Sequence, residues 1–130
     1  IGGGNMAKVI IGGLKNNGAD TSTILVIEPD SEKCKQLAQQ FSVQASNNYD
    51  DIRNTGVLVL AVKPQQLRAV CAQVSPLLNS QLVISIAAGV RSADISRWLN
   101  GYQSVVLVMP NTPAQIQVGV SALYASTSVN

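Results

Sequence analysis

The sequence predicts an α/β domain built on a doubly wound, mostly parallel sheet, and three observations carry that prediction. A glycine turn, Gly2-Gly3-Gly4, links a strand end at Ile1 to a helix-forming run. Short apolar, largely β-branched runs recur at residues 24–27, 57–62, 82–86 and 105–109, as strands buried on both faces require. Between them lie stretches with apolar residues at helical spacing, and no long loop or low-complexity segment breaks the alternation.

One domain over residues 1–130 is expected, because 46% of the chain is apolar, enough to bury a core. The formal net charge of +2 comes from scattered basic residues such as Lys8, Arg53 and Arg97, so no basic face points to nucleic acid. Cys34 and Cys71 form no C-x-x-C pair and there is no histidine. That removes a zinc set, and with it any Ser-His-Asp or Cys-His arrangement within the chain. Both cysteines are expected as reduced packing residues on helices. No apolar run is long enough to span a membrane, and the opening glycines do not read as a secretory signal, so a cytoplasmic setting is expected. Chemistry in such a chain leans on a cofactor.

Taken in order, Met6, Val9, Ile10 and Leu14 fall at helical spacing and predict a helix from Asn5 to about Asn17, stopped by Asn16-Asn17-Gly18. Gly12 and Gly13 inside it cost about 1 kcal/mol each against alanine. Close approach to the sheet would offset that cost; the alternative is a local weak spot. Ile24-Leu25-Val26-Ile27 predicts a buried strand ended by Pro29, and Asp30 or Ser31 caps a helix to about Gln40 with Cys34, Leu37, Ala38 and Phe41 on one face. A short strand at residues 43–45 and a turn at Ser46-Asn47-Asn48 follow. Asp50-Asp51 reads as a cap of a short helix rather than a catalytic carboxylate pair, since adjacent side chains point apart.

Residues 57–62 are the clearest buried strand, and Pro64, favourable in a first helical turn, opens a helix to about Val74. The strand at residues 82–86 ends in the small residues Ala87-Ala88-Gly89. Ser92-Ala93-Asp94 starts a helix carrying Ile95, Trp98 and Leu99, which Gly101 ends; Trp98 reads as a packing anchor. Val105 to Met109 form a further strand that runs into the rigid turn Pro110-Asn111-Thr112-Pro113, and residues 119–125 predict one more.

Gly2, Gly4 and Ala7 fit the pattern G-x-G-x-x-G/A of the Rossmann-type dinucleotide-binding turn. The first glycine allows a sharp turn, the second lets backbone approach a pyrophosphate at a helix N-terminus, and the small third residue lets the helix pack on the sheet. The bland alternative is a plain strand-to-helix turn. Glu28 follows Gly4 by 24 positions, near where such folds place an acidic residue on the adenosine ribose. A carboxylate there would repel a 2′-phosphate and favour NAD over NADP; otherwise Glu28 is a loop carboxylate. Lys63-Pro64 arrives at the C-terminal end of a strand, where ligands bind in open α/β sheets, and Lys63 reads equally as solvated or ligand-facing.

Four segments, Ile1-Gly2-Gly3-Gly4-Asn5-Met6-Ala7, Ala61-Val62-Lys63-Pro64, Ser85-Ile86-Ala87-Ala88-Gly89-Val90 and Met109-Pro110-Asn111-Thr112-Pro113, in this order and spacing, resemble the cofactor domain of the pyrroline-5-carboxylate reductase family. The resemblance spans essentially the whole chain, and the last two motifs are its most specific part. It implies NADPH- or NADH-dependent reduction of the cyclic imine Δ1-pyrroline-5-carboxylate to L-proline. It places Ile1, Gly2, Gly3, Gly4, Asn5 and Met6 along the pyrophosphate and Glu28 at the adenosine ribose, with Asn48 by the adenosine half. Ala61, Val62, Lys63 and Pro64, with Ile86, Ala87 and Ala88, would flank the nicotinamide half. Asn111 is a weak candidate for facing the reacting ring; its alternative role is an Asx-type turn residue.

Two departures shape the expectation. Only Ile1 stands for the family's first strand, so a truncated central strand is the expectation for the residues given, and nothing in them matches the family's C-terminal helical domain, which the resemblance implies builds a homo-oligomer and supplies the remaining catalytic groups. A piece that binds cofactor but turns over poorly is the corresponding expectation. Rival readings are the cofactor domain of a β-hydroxyacid-type dehydrogenase and a non-catalytic dinucleotide-sensing module. A phospho-acceptor receiver domain would need clustered carboxylates where this chain has glycines.

Overall fold

The computed structural model describes residues 1–109 and 122–125. In chain order, α1 (Asn5–Asn16), β1 (Leu25–Ile27), α2 (Ser31–Phe41), β2 (Gln44–Ser46) and β3 (Val57–Leu60) are followed by α3 (Pro64–Val74), β4 (Leu82–Ser85), α4 (Ser92–Trp98), β5 (Val105–Met109) and β6 (Ala122–Ala125). β1 pairs with β2 in parallel, with Val26 opposite Ala45. β3, β4 and β5 form a second parallel ladder that β6 closes antiparallel, Met109 opposite Ala122. The sheet is thus mostly parallel, as expected, with one antiparallel edge.

Ile1 and Gly2 join the two ladders. The main-chain nitrogen of Ile1 donates to Val59 O and its carbonyl accepts from Ala61 N–H at 2.8 Å, while Gly2 N–H donates to Ile27 O at 2.9 Å. Successive residues bonding to opposite sides is the pattern of a strand held between two parallel neighbours. The spatial order is therefore β2, β1, Ile1-Gly2, β3, β4, β5, β6, and the chain winds outward in both directions from Ile1-Gly2. The crevice at such a reversal of strand order is where open α/β sheets bind ligands.

Two apolar clusters hold the layers. Ile27, Leu58, Leu60, Leu67, Val74, Val83 and Ile95 belong to the larger, in which α3 and α4 cover β3, β4 and β5; Trp98 packs against it as an anchor. The smaller joins Ile11 of α1 to Val26, Leu37, Phe41 and Val43. Gly12 serves this second cluster rather than the sheet: a Cβ there would stand 3.6 Å from the Phe41 ring of α2, so its close approach is helix to helix. Helix boundaries follow local chemistry. Asp30 caps α2 by accepting from Glu32 N–H and Lys33 N–H, and Ser42 at φ 58° ends it. α4 ends through Asn100 and Gly101, both at positive φ. The expected cap at Asp50-Asp51 is corrected: Asn48 caps the 3₁₀ turn Tyr49–Asn54 by accepting from Asp50 N–H, because an Asx side chain reaches the amide two residues on. Asp50 instead pairs with Arg53, both exposed, and Asp51 accepts from Ser46 Oγ.

Candidate dinucleotide site

The C-terminal ends of the strands lie side by side along one edge. Ala61 N–H holds Ile1 O, Ile86 N–H reaches Leu60 O at 3.3 Å, and Glu28 N–H reaches Ser46 O at 2.9 Å. This places the Ser46-Asn47-Asn48 turn, Glu28, the glycine turn, Ala61-Val62 and Ile86-Ala87-Ala88 in one row. Sequence separation gave no hint of that order; the parallel ladders supply it.

The glycine turn is built for close contact on one side and open on the other. Gly2 sits at φ +102°, and a Cβ there would stand 2.7 Å from Ala61 O and 3.1 Å from Val62 Cγ1. Gly3 is buried, and a Cβ on it would meet Glu28 Oε2 at 2.8 Å and Leu37 Cδ1 at 2.9 Å. Gly4, exposed and extended at φ −79°, would meet nothing within 4 Å. Ala7 is buried at the start of α1, as the third small position of the pattern requires.

α1 begins with no side-chain cap and no acidic residue in its first turn, whereas α2 is capped by Asp30. The N–H groups of a first helical turn lack intrahelical partners, so those of α1 are free for an anion, and the helix dipole adds a favourable field. α3 also starts without a side-chain cap, at Lys63, with Pro64 as its first residue; both are exposed. Among the described residues no carboxylate pairs with the Lys63 ammonium. Ile86 and Ala87 are half-buried and Ala88 exposed, and the buried Ser85 accepts from Ala87 N–H at 3.3 Å, which shapes that strand end.

Glu28 is where the geometry adds most to the sequence. It is 8% exposed, its Oε2 accepts from Gly3 N–H at 2.7 Å, and its Oε1 accepts from Asp30 N–H at 3.2 Å. Cys34 Sγ donates to the Glu28 carbonyl at 3.2 Å, so the residue is held by main chain as well. Asn48 is exposed, with its side-chain oxygen turned to Asp50 N–H. Met6 is half-buried in α1 beside the turn. Asn111 lies outside the described residues.

No group of three or more His, Cys, Asp or Glu residues that could hold a metal ion occurs among the described residues, and no helix there is long and apolar enough to cross a membrane. Cys34 and Cys71 are free thiols, one half-buried on α2 and one buried on α3. Burial pushes the Cys71 thiol up to about 11. Ser85 stood in the sequence only as the first residue of the Ser85–Val90 motif, with no site role, because a lone serine in an apolar run does not say which amide its hydroxyl will meet.

Residues 1–89 match the family model described as NADP oxidoreductase coenzyme F420-dependent. The chain is 40% identical over 132 residues to a pyrroline-5-carboxylate reductase of Pseudomonas aeruginosa, a match covering 100% of this chain and 48% of that protein. It is 44% identical over 134 residues to the pyrroline-5-carboxylate reductase of Pasteurella multocida, covering 99% and 49%. Among solved structures, a pyrroline-5-carboxylate reductase from Coxiella burnetii matches with a TM-score of 0.80 at 37% identity, covering 88% of this chain and 44% of that one. The chain spans about half the length of the curated relatives it matches.

Proposed function

Since the chain belongs to the family described as NADP oxidoreductase coenzyme F420-dependent, we propose that it is the dinucleotide-binding half of a reductase that converts Δ1-pyrroline-5-carboxylate to L-proline. The observation that carries this reading is the pairing of an uncapped α1 with the open space in front of Gly4, at the point where the strand order reverses. The fit to an anionic dinucleotide is chemical as well as spatial. Free N–H groups face the open side, no carboxylate stands in the first turn of α1, and the exposed Lys63 adds a positive charge along the same edge. The identity of about 40% to two pyrroline-5-carboxylate reductases supports the substrate.

Bound NAD(P)H would supply the hydride that adds to C5 of the cyclic imine, the C=N pair becoming the amine lone pair. The residues of this chain bind and orient. The backbone at Gly4, Asn5 and Met6 receives the pyrophosphate, and Ala61, Val62, Ile86 and Ala87 form a low wall for the nicotinamide half. Small and apolar groups there exclude water without competing for the hydride, which suits a protonated imine that is already electrophilic. The substrate carboxylate, the remaining catalytic groups and the oligomer contacts belong, on this reading, to the part of the relatives' length that the chain does not span.

Titration of the chain with NADH and with NADPH by calorimetry tests the first half of the proposal, and imine reduction by a protein that also carries the second half of the relatives' length tests the rest. Saturable binding with proline formation is expected. A folded chain that binds neither nucleotide would overturn it.

A further inference from the structure

We propose that Glu28 is a positioning residue for the glycine turn and not a ligand of the adenosine ribose, an inference that rests on the dinucleotide reading of that turn. Each carboxylate oxygen accepts from the protein's own main chain, Oε2 from Gly3 N–H at 2.7 Å and Oε1 from Asp30 N–H at 3.2 Å. The side chain is buried, and its Cγ stands 3.2 Å from where a Gly3 Cβ would be. Leu37 Cδ1 closes that space as well, so the Gly3 peptide is wedged between a carboxylate and an apolar wall. A hydrogen bond from a main-chain amide to a buried carboxylate is charge-assisted and directional. It turns the Gly3 N–H inward and leaves the amides after it, from Gly4 into α1, on the outer face where the pyrophosphate would lie.

The consequence concerns cofactor choice. A ribose ligand at the end of β1 discriminates NADH from NADPH, because its charge opposes a 2′-phosphate. A brace inside the turn acts on the part the two nucleotides share. Loss of the brace therefore weakens both nucleotides by the same factor, and any preference between them originates elsewhere.

Two variants test this. Glu28→Gln keeps the shape, but its amide N–H₂ meets the Asp30 N–H, donor against donor. Glu28→Asp keeps the charge but shortens the reach to Gly3. NADH and NADPH affinities of each variant and of the unmodified chain are measured by calorimetry, with hydrogen exchange at the Gly3 amide followed by NMR. Both affinities are expected to fall at least fivefold, their ratio staying within about twofold, while Gly3 exchange accelerates. If Glu28→Gln loses NADH affinity alone, or shifts the ratio tenfold toward NADPH, Glu28 is a ribose ligand and the proposal falls. Unchanged affinity for both nucleotides would also overturn it. An unmodified chain that binds neither overturns the dinucleotide reading itself, and this inference with it.

Discussion

Gly2 lies flat against Ala61: a Cβ on Gly2 would stand 2.7 Å from the Ala61 carbonyl oxygen, which is main chain and cannot swing away. The same residue holds φ +102°, a conformation L side chains rarely adopt. Gly2→Ala therefore meets a steric and a conformational penalty together, and the strain alone is worth about 1–3 kcal/mol. Urea unfolding should show a loss of at least that size. An unchanged midpoint would mean that the turn adapts and that Gly2 is not needed there.

Gly4 is the opposite case. Its backbone is extended at φ −79°, and a Cβ would meet nothing within 4 Å. Gly4→Ala should cost only about 1 kcal/mol, the difference between glycine and alanine at a helix N-cap, since Gly4 is the N-cap of α1 and no packed group stands in the way. If the space is kept for a pyrophosphate, the same variant should lose nucleotide affinity at least tenfold. Affinity equal to the parent's would place the nucleotide somewhere else.

Burial raises the Cys71 thiol to about 11, and burial, with the nearby carboxylates of Glu28 and Asp30, also raises Cys34. The thiolate is the reactive form, so in the native protein at pH 8 Cys71 should resist a disulfide reagent and Cys34 should react slowly, while both react at once in denaturant. The linkage has a definite sign. Because the folded state holds the Cys71 proton more tightly than the unfolded one, this contribution to stability is complete below pH 9 and declines as pH rises toward 11. Fast native labelling at Cys71 would contradict its place in the core.

Much of this molecule is legible along the chain because its signals are local. Pro64 in a first helical turn, Asp30 ahead of α2 and the apolar run at residues 57–62 act through neighbours a few positions away, and those elements formed there, the strand ending at Leu60 rather than Val62. The Gly2, Gly4 and Ala7 pattern is local too, which is why the turn could be read without the fold. Asn48 took the cap expected of Asp50-Asp51 because side-chain reach, not residue type alone, selects the amide that is capped.

By itself, then, the sequence determined the alternation of strands and helices, the glycine turn and the identity of the motifs at the later strand ends, since each depends on periodicity or backbone freedom over a few residues. Tertiary structure alone decided that Gly12 faces Phe41, that β6 runs antiparallel, and that Glu28 turns both oxygens inward to Gly3 and Asp30. Those outcomes depend on groups as far apart along the chain as Gly12 and Phe41 meeting in space. A buried carboxylate takes whichever amide the packed strands bring within reach, and no short stretch of sequence carries that information.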